Sequence, residues 1–79
     1  MGLAYAAFGG HRDLMDFFMG WGADEWNRAM AYAAEGGHRD IVEFLIVWKG
    51  ANAWDWGMIG AAHGGHRELV EYLIKRGAP

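Results

Sequence analysis

Gly36-Gly37-His38-Arg39-Asp40-Ile41-Val42-Glu43-Phe44-Leu45-Ile46 is the stretch on which the fold turns. Ile41, Val42, Leu45 and Ile46 recur at i, i+1, i+4 and i+5, the stripe of an amphipathic helix and not the alternation of a strand. Asp40 falls in the first turn, where a carboxylate meets the positive end of the helix dipole. Arg39 and Glu43 stand four apart on the outer face, spaced to pair. Gly36 and Gly37 stop any helix arriving from the N-terminal side, so the segment reads as a hinge followed by a helix. Gly50 then ends that helix, because a left-handed residue after the last turn is least strained as glycine.

The hinge is used three times. Gly9-Gly10-His11-Arg12-Asp13 and Gly64-Gly65-His66-Arg67-Glu68 flank the middle copy, with the histidines 27 and then 28 residues apart. Self-similarity at such a period marks a stack of supersecondary units. Ala6-Ala7, Ala33-Ala34 and Ala61-Ala62 precede the hinges, and Gly22-Ala23, Gly50-Ala51 and Gly77-Ala78 close the repeats. The second repeat carries one extra residue within Val47 to Lys49. A second helix, carried in repeat two by Trp26, Met30, Ala33 and Ala34, precedes each hinge. Asp24 or Asn27 is its candidate N-cap, and Asn52 or Asp55 the candidate in repeat three. Repeat one lacks the counterpart of residues 24–27, so its first helix starts at about Met1 and is a turn short. The expected fold is all-α: one domain over residues 1–79, a solenoid of three stacked helix–turn–helix units at about 1–22, 23–50 and 51–79.

The pattern Ala-Ala-x-Gly-Gly-His-x-x-Ile/Leu-Val-x-x-Leu-Ile-x-x-Gly-Ala, seen in residues 33–46 and 61–78, resembles the ankyrin repeat. The usual period is about 33 residues with Thr-Pro-Leu-His opening the first helix. Here Trp26-Asn27 and Trp54-Asp55 precede that place, and the shortening falls between Gly-Ala and the first helix. The resemblance therefore implies stacked helix pairs without the projecting hairpin fingers, binding proteins through the concave first-helix face.

Comparing the three copies separates constrained from free positions. Leu3, Met30 and Met58, eight before the histidines, are always large and apolar, and the alanine pairs are invariant among the copies; these read as core. Four positions change sharply: Met1, Arg28, Trp56; Ala4, Ala31, Ile59; Tyr5, Tyr32, Gly60; and Phe8, Glu35, His63. They are spaced i, i+3, i+4, i+7, one face of a helix. A face the stack does not require is a candidate binding surface, and it carries the residue types that anchor interfaces. The candidate partner-binding residues are Tyr5, Phe8, Arg28, Tyr32, Glu35, Trp56, Ile59 and His63. Trp26 and Trp54 share a repeat position and read as packing between repeats. Trp21 and Trp48 share another and read as covers over helix ends.

Chemistry and charge narrow the function. The chain has no cysteine, serine or threonine, so no hydroxyl or thiol nucleophile and no disulfide. The columns Asp13, Asp40, Glu68 and Asp16, Glu43, Glu71 look like a solvated helix face and not a catalytic pair. His11, His38 and His66 would lie about 10 Å apart along a helical stack, too far to share one metal. No metal, cofactor or catalytic residue is expected. Net charge is −3 with no basic run, which argues against nucleic acid. The longest strongly apolar segment, Ile41 to Trp48, contains Glu43 and is too short to span a bilayer. A soluble, cytoplasmic, non-catalytic protein-interaction module is the reading that follows. Its alternative is a self-assembling structural repeat unit, natural fragment or designed, with no foreign ligand. No polar capping repeat stands at either end, so a homo-oligomer is expected.

Overall fold

The computed structural model describes residues 2–77, which form six helices: α1 Gly2–Gly9, α2 Arg12–Gly20, α3 Trp26–Glu35, α4 Arg39–Lys49, α5 Trp54–His63 and α6 Arg67–Gly77. Met1 and the Ala78 of the last Gly-Ala pair lie outside the described residues. There is no strand among them, and the links at 21–25 and 50–53 are short, without fingers.

The hinge geometry follows from the alanine–glycine pattern. Gly10, Gly37 and Gly65 have φ of 75°, 78° and 79°, the left-handed region. The histidine N–H after each reaches back to the carbonyl of Ala6, Ala33 or Ala61 at 2.8, 2.9 and 2.8 Å. The glycine N–H meets Ala7, Ala34 or Ala62 at 3.2, 3.0 and 3.0 Å. This is the Schellman arrangement, which satisfies carbonyls left over at a helix end. Ala23 closes α2 the same way, its N–H 3.0 Å from the Phe18 carbonyl. In repeat two the matching bond runs from Ala51 to Leu45, one residue wider, at 3.0 Å, with Gly50 left-handed at φ 74°. The extra residue is absorbed there as a broader last turn.

The proposed side-chain N-caps of the first helices are corrected. Glu25 and Ala53 hold the cap positions of α3 and α5, and neither makes a side-chain cap bond. Asn27 instead turns to the next repeat, its Oδ1 accepting the Asn52 N–H at 2.8 Å. Arg39 and Glu43 do pair, at 3.4 Å and exposed, a contribution of a few tenths of a kcal/mol.

Helices α1, α3 and α5 lie side by side as one layer, each with its partner α2, α4 or α6 behind it. The first helices approach one another closely; the second helices do not come as near to each other. Small residues explain the difference. A Cβ on Gly60 would stand 2.6 Å from the Ala31 carbonyl, so α5 rests on α3 backbone to backbone. Leu3, Met15, Met30, Ile41, Val42, Leu45 and Leu73 fill the space between layers, fully buried. Long side chains bridge the wider gap behind: Arg12 lies over the Phe44 ring at 4.7 Å and Arg39 over Tyr72 at 4.4 Å.

The hinges also join the repeats. His38 Nε2–H donates to the Phe8 carbonyl at 3.0 Å, and His66 Nε2–H to the Glu35 carbonyl at 3.0 Å. A Cβ on Gly36 or Gly64 would collide with those same two carbonyls. A Cβ on Gly10 or Gly37 would strike the following repeat's histidine ring. The first glycine therefore permits close approach, and the second supplies the left-handed turn.

Two outcomes follow. Gly36→Ala forces a methyl onto backbone and should cost about 2–3 kcal/mol by denaturant titration. Gly65→Ala, strained but unobstructed, should cost only about 1–2 kcal/mol; equal losses would contradict the close-approach role. Second, burial, then the adjacent Glu43 carboxylate, hold Tyr72 above the usual phenol pKa. The fold thus favours the neutral phenol, a contribution complete below about pH 10 and lost as pH climbs through the raised folded value. The melting temperature should fall on that alkaline limb, and Tyr72→Phe should flatten the fall.

Candidate functional site

The alanine periodicity that packs α1, α3 and α5 together leaves one edge of that layer facing out. There Tyr5 and Tyr32 meet edge-on, ring centres 6.2 Å apart, and Phe8 meets Tyr32 at 6.5 Å. Such edge-to-face contacts suit the ring quadrupoles and hold each ring in place. Tyr5, Phe8, Tyr32 and Glu35 line a shallow depression of about 200 Å³. Tyr5 and Phe8 are exposed and Tyr32 half-buried. His63 completes the row, its Nδ1–H donating to Glu35 Oε2 at 2.8 Å. Five of the eight expected residues thus form one continuous surface across three repeats.

The other three do not join it. Ile59 stands in register with Ala4 and Ala31, which are buried, so this position faces the next repeat and not the aromatic edge. Ile59 is 67% exposed because no repeat covers it in the described structure. The position is buried in its first two copies and open in its third. Trp56 lines a separate depression of about 530 Å³ with Asn52, Asp55, Ile74 and Gly77. Arg28, exposed in the first turn of α3, lines neither depression.

Of the remaining tryptophans, Trp21 and Trp48 differ from expectation. Trp26 and Trp54 are half-buried and pack against the core, and each also touches the end of its own repeat's second helix. Lys49 Nζ sits 5.1 Å from the Trp26 ring, and Gly77 lies against Trp54, where a Cβ would collide. Trp21 and Trp48 cover no helix end; they are 79% and 74% exposed, Trp21 leaning on Phe17 at 6.1 Å. Sequence reasoning missed the cation–π joints. Their signal was present, since Arg12, Arg39, Arg67 and Phe17, Phe44, Tyr72 each recur in every repeat. The Nε2 atoms of His38 and His66 are spent on carbonyls, and His63 on Glu35. Among the described residues no three His, Asp or Glu side chains converge on a point that could hold a metal.

Helix pairs stacked in one direction, with the first helices packed side by side, define a helical repeat solenoid. The family model for ankyrin repeats, in three copies, matches residues 3–79, and the chain belongs to the ankyrin repeat family. Ankyrin repeats are generally non-catalytic protein-interaction modules. No curated protein and no solved structure matches the chain. No helix among the described residues is long and apolar enough to cross a membrane.

The division between site and core is measurable. Tyr5→Ala, at a 61% exposed position with one ring pair, should cost no more than about 1.5 kcal/mol, the upper scale of such a pair. Met30→Ala, which empties a fully buried position, should cost about 2–5 kcal/mol. A comparable loss for Tyr5→Ala would move that ring from the candidate site to the core.

Proposed function

We propose that this chain is a non-catalytic interaction domain that binds a protein partner through the concave first-helix edge, at Tyr5, Phe8, Tyr32, Glu35 and His63. The observation that carries the reading is the convergence of three exposed or half-exposed rings on one depression beside a carboxylate. Rings fixed by mutual contact lose little conformational freedom on binding, which is why aromatic clusters anchor interfaces. An apolar side chain of the partner would lie among the rings, and a donor or cation would meet Glu35. The chain's lack of cysteine suits a reducing, cytoplasmic setting.

Selection of a phage-displayed peptide library on the 79-residue chain tests this directly. Enriched peptides should bind Phe8→Ala and Tyr32→Ala at least about 10-fold more weakly, as expected for interface anchors. They should bind Trp21→Ser, altered far from the concave edge, as tightly as the parent. No enrichment, or affinities indifferent to Phe8 and Tyr32, would overturn the assignment.

A further inference from the structure

We propose that the depression between α1 and α3 is an aromatic cage for a methylated lysine side chain of a protein partner. The proposal rests on the partner-binding reading of this edge and names the group that is bound. Tyr5, Phe8, Tyr32 and Glu35 line the depression, three rings and one carboxylate, and among the described residues no Lys, Arg or His lines it. Tyr5 and Phe8 rise from α1, Tyr32 and Glu35 from α3, so the depression belongs to the joint between two neighbouring repeats. The planes of Tyr5 and Phe8 stand at 69° and 75° to Tyr32, with ring centres 6.2 and 6.5 Å away. Rings inclined this steeply form walls and not a flat stack. The volume of about 200 Å³ lies below the roughly 300–1,000 Å³ of pockets that take a whole small molecule; it is the scale of a side-chain tip.

The face of an aromatic ring is the negative end of its quadrupole and attracts a cation within about 6 Å of the ring centre. Three rings and the Glu35 carboxylate therefore favour positive charge in the depression. An unmodified lysine suits it poorly. Its ammonium is a strongly hydrated point charge with three N–H donors. The lining offers one carboxylate, whose Oε2 already accepts the His63 Nδ1–H at 2.8 Å, and ring faces do not replace the lost water. Methylation keeps the charge, removes donors and turns methyl groups toward the rings, so leaving water costs less. A methylated ammonium thus joins in one group the apolar contact and the cation that this edge favours. The same force already acts inside the molecule, where Arg12 lies over Phe44 at 4.7 Å, Arg39 over Tyr72 at 4.4 Å and Lys49 over Trp26 at 5.1 Å.

The test is an NMR titration of the isotope-labelled 79-residue chain with Nα-acetyl-Nε-trimethyl-lysine methylamide. Two probes serve as controls: the unmethylated lysine derivative, and a neutral isostere with carbon in place of the quaternary nitrogen. The trimethylated probe should saturate with a Kd of about 1–10 mM, the range of a single anchored side chain, and shift the signals of Tyr5, Phe8, Tyr32 and Glu35. Both controls should bind at least about 5-fold more weakly, because each lacks one half of the fit. Tyr5→Leu keeps apolar bulk at an exposed position and removes the ring; Glu35→Gln removes the charge. Each should weaken the trimethylated probe at least about 3-fold, with circular dichroism showing unchanged helix. Equal binding of the neutral isostere would reduce the site to an apolar dent, and equal binding of unmethylated lysine to a plain carboxylate; either overturns the proposal. So does a titration without saturation by about 100 mM, or one whose shifts lie away from these four residues. Library peptides that still depend on Phe8 and Tyr32 would then keep the partner-binding reading standing while the cage falls.

Discussion

The histidine–carbonyl bond across each hinge is the interaction that the rest of the structure depends on. It uses a backbone acceptor at the end of one repeat's first helix and a side-chain donor at the start of the next repeat's second helix. It can form only because glycines at 36 and 64 let the backbones come that close. One bond of this kind is worth only about 1 kcal/mol. Its importance is geometric, because it fixes the translation from one repeat to the next. Every other joint contact, from Arg12 on Phe44 to Asn27 on Asn52, falls into place at that spacing.

That spacing shapes the surface. Alanine and glycine draw α1, α3 and α5 together, while arginines and aromatic rings prop the second helices apart. The stack is therefore tighter on the narrow first-helix side than on the second-helix side. Tyr5, Phe8, Tyr32, Glu35 and His63 line that narrow side. The exposed aromatic edge is therefore a by-product of the same small residues that form the core, and its side chains are free to differ between repeats.

Repeat comparison is a strong method with one blind spot, which Ile59 exposes. It treats a varying position as unconstrained. Among the described residues, however, the first two copies of this position are covered and the third is not. Ala4 and Ala31 are small because a helix lies on them; Ile59 has none over it. Trp56 and Arg28 fell into the same helical face by spacing alone, but spacing does not say where along the stack a side chain ends up. The rings at Tyr5, Phe8 and Tyr32 were legible because adjacent repeats place equal positions side by side.

The sequence by itself determined that the chain is a triple helix–turn–helix stack of ankyrin repeats. Periodicity, the alanine pairs and the Gly-Gly-His hinges are local features, and local hydrogen bonding enforces them wherever they occur. Gly50 and the short α1 belong to the same class of conclusion. Only the tertiary structure decided which faces meet, because that depends on distances between residues some thirty positions apart. It sent Asn27 to the next repeat, paired Arg12 and Arg39 with rings, left Trp21 and Trp48 in solvent and separated Trp56 from the aromatic edge. A hydrophobic pattern says that a side chain prefers cover; the packing of the neighbouring repeat decides whether cover is there.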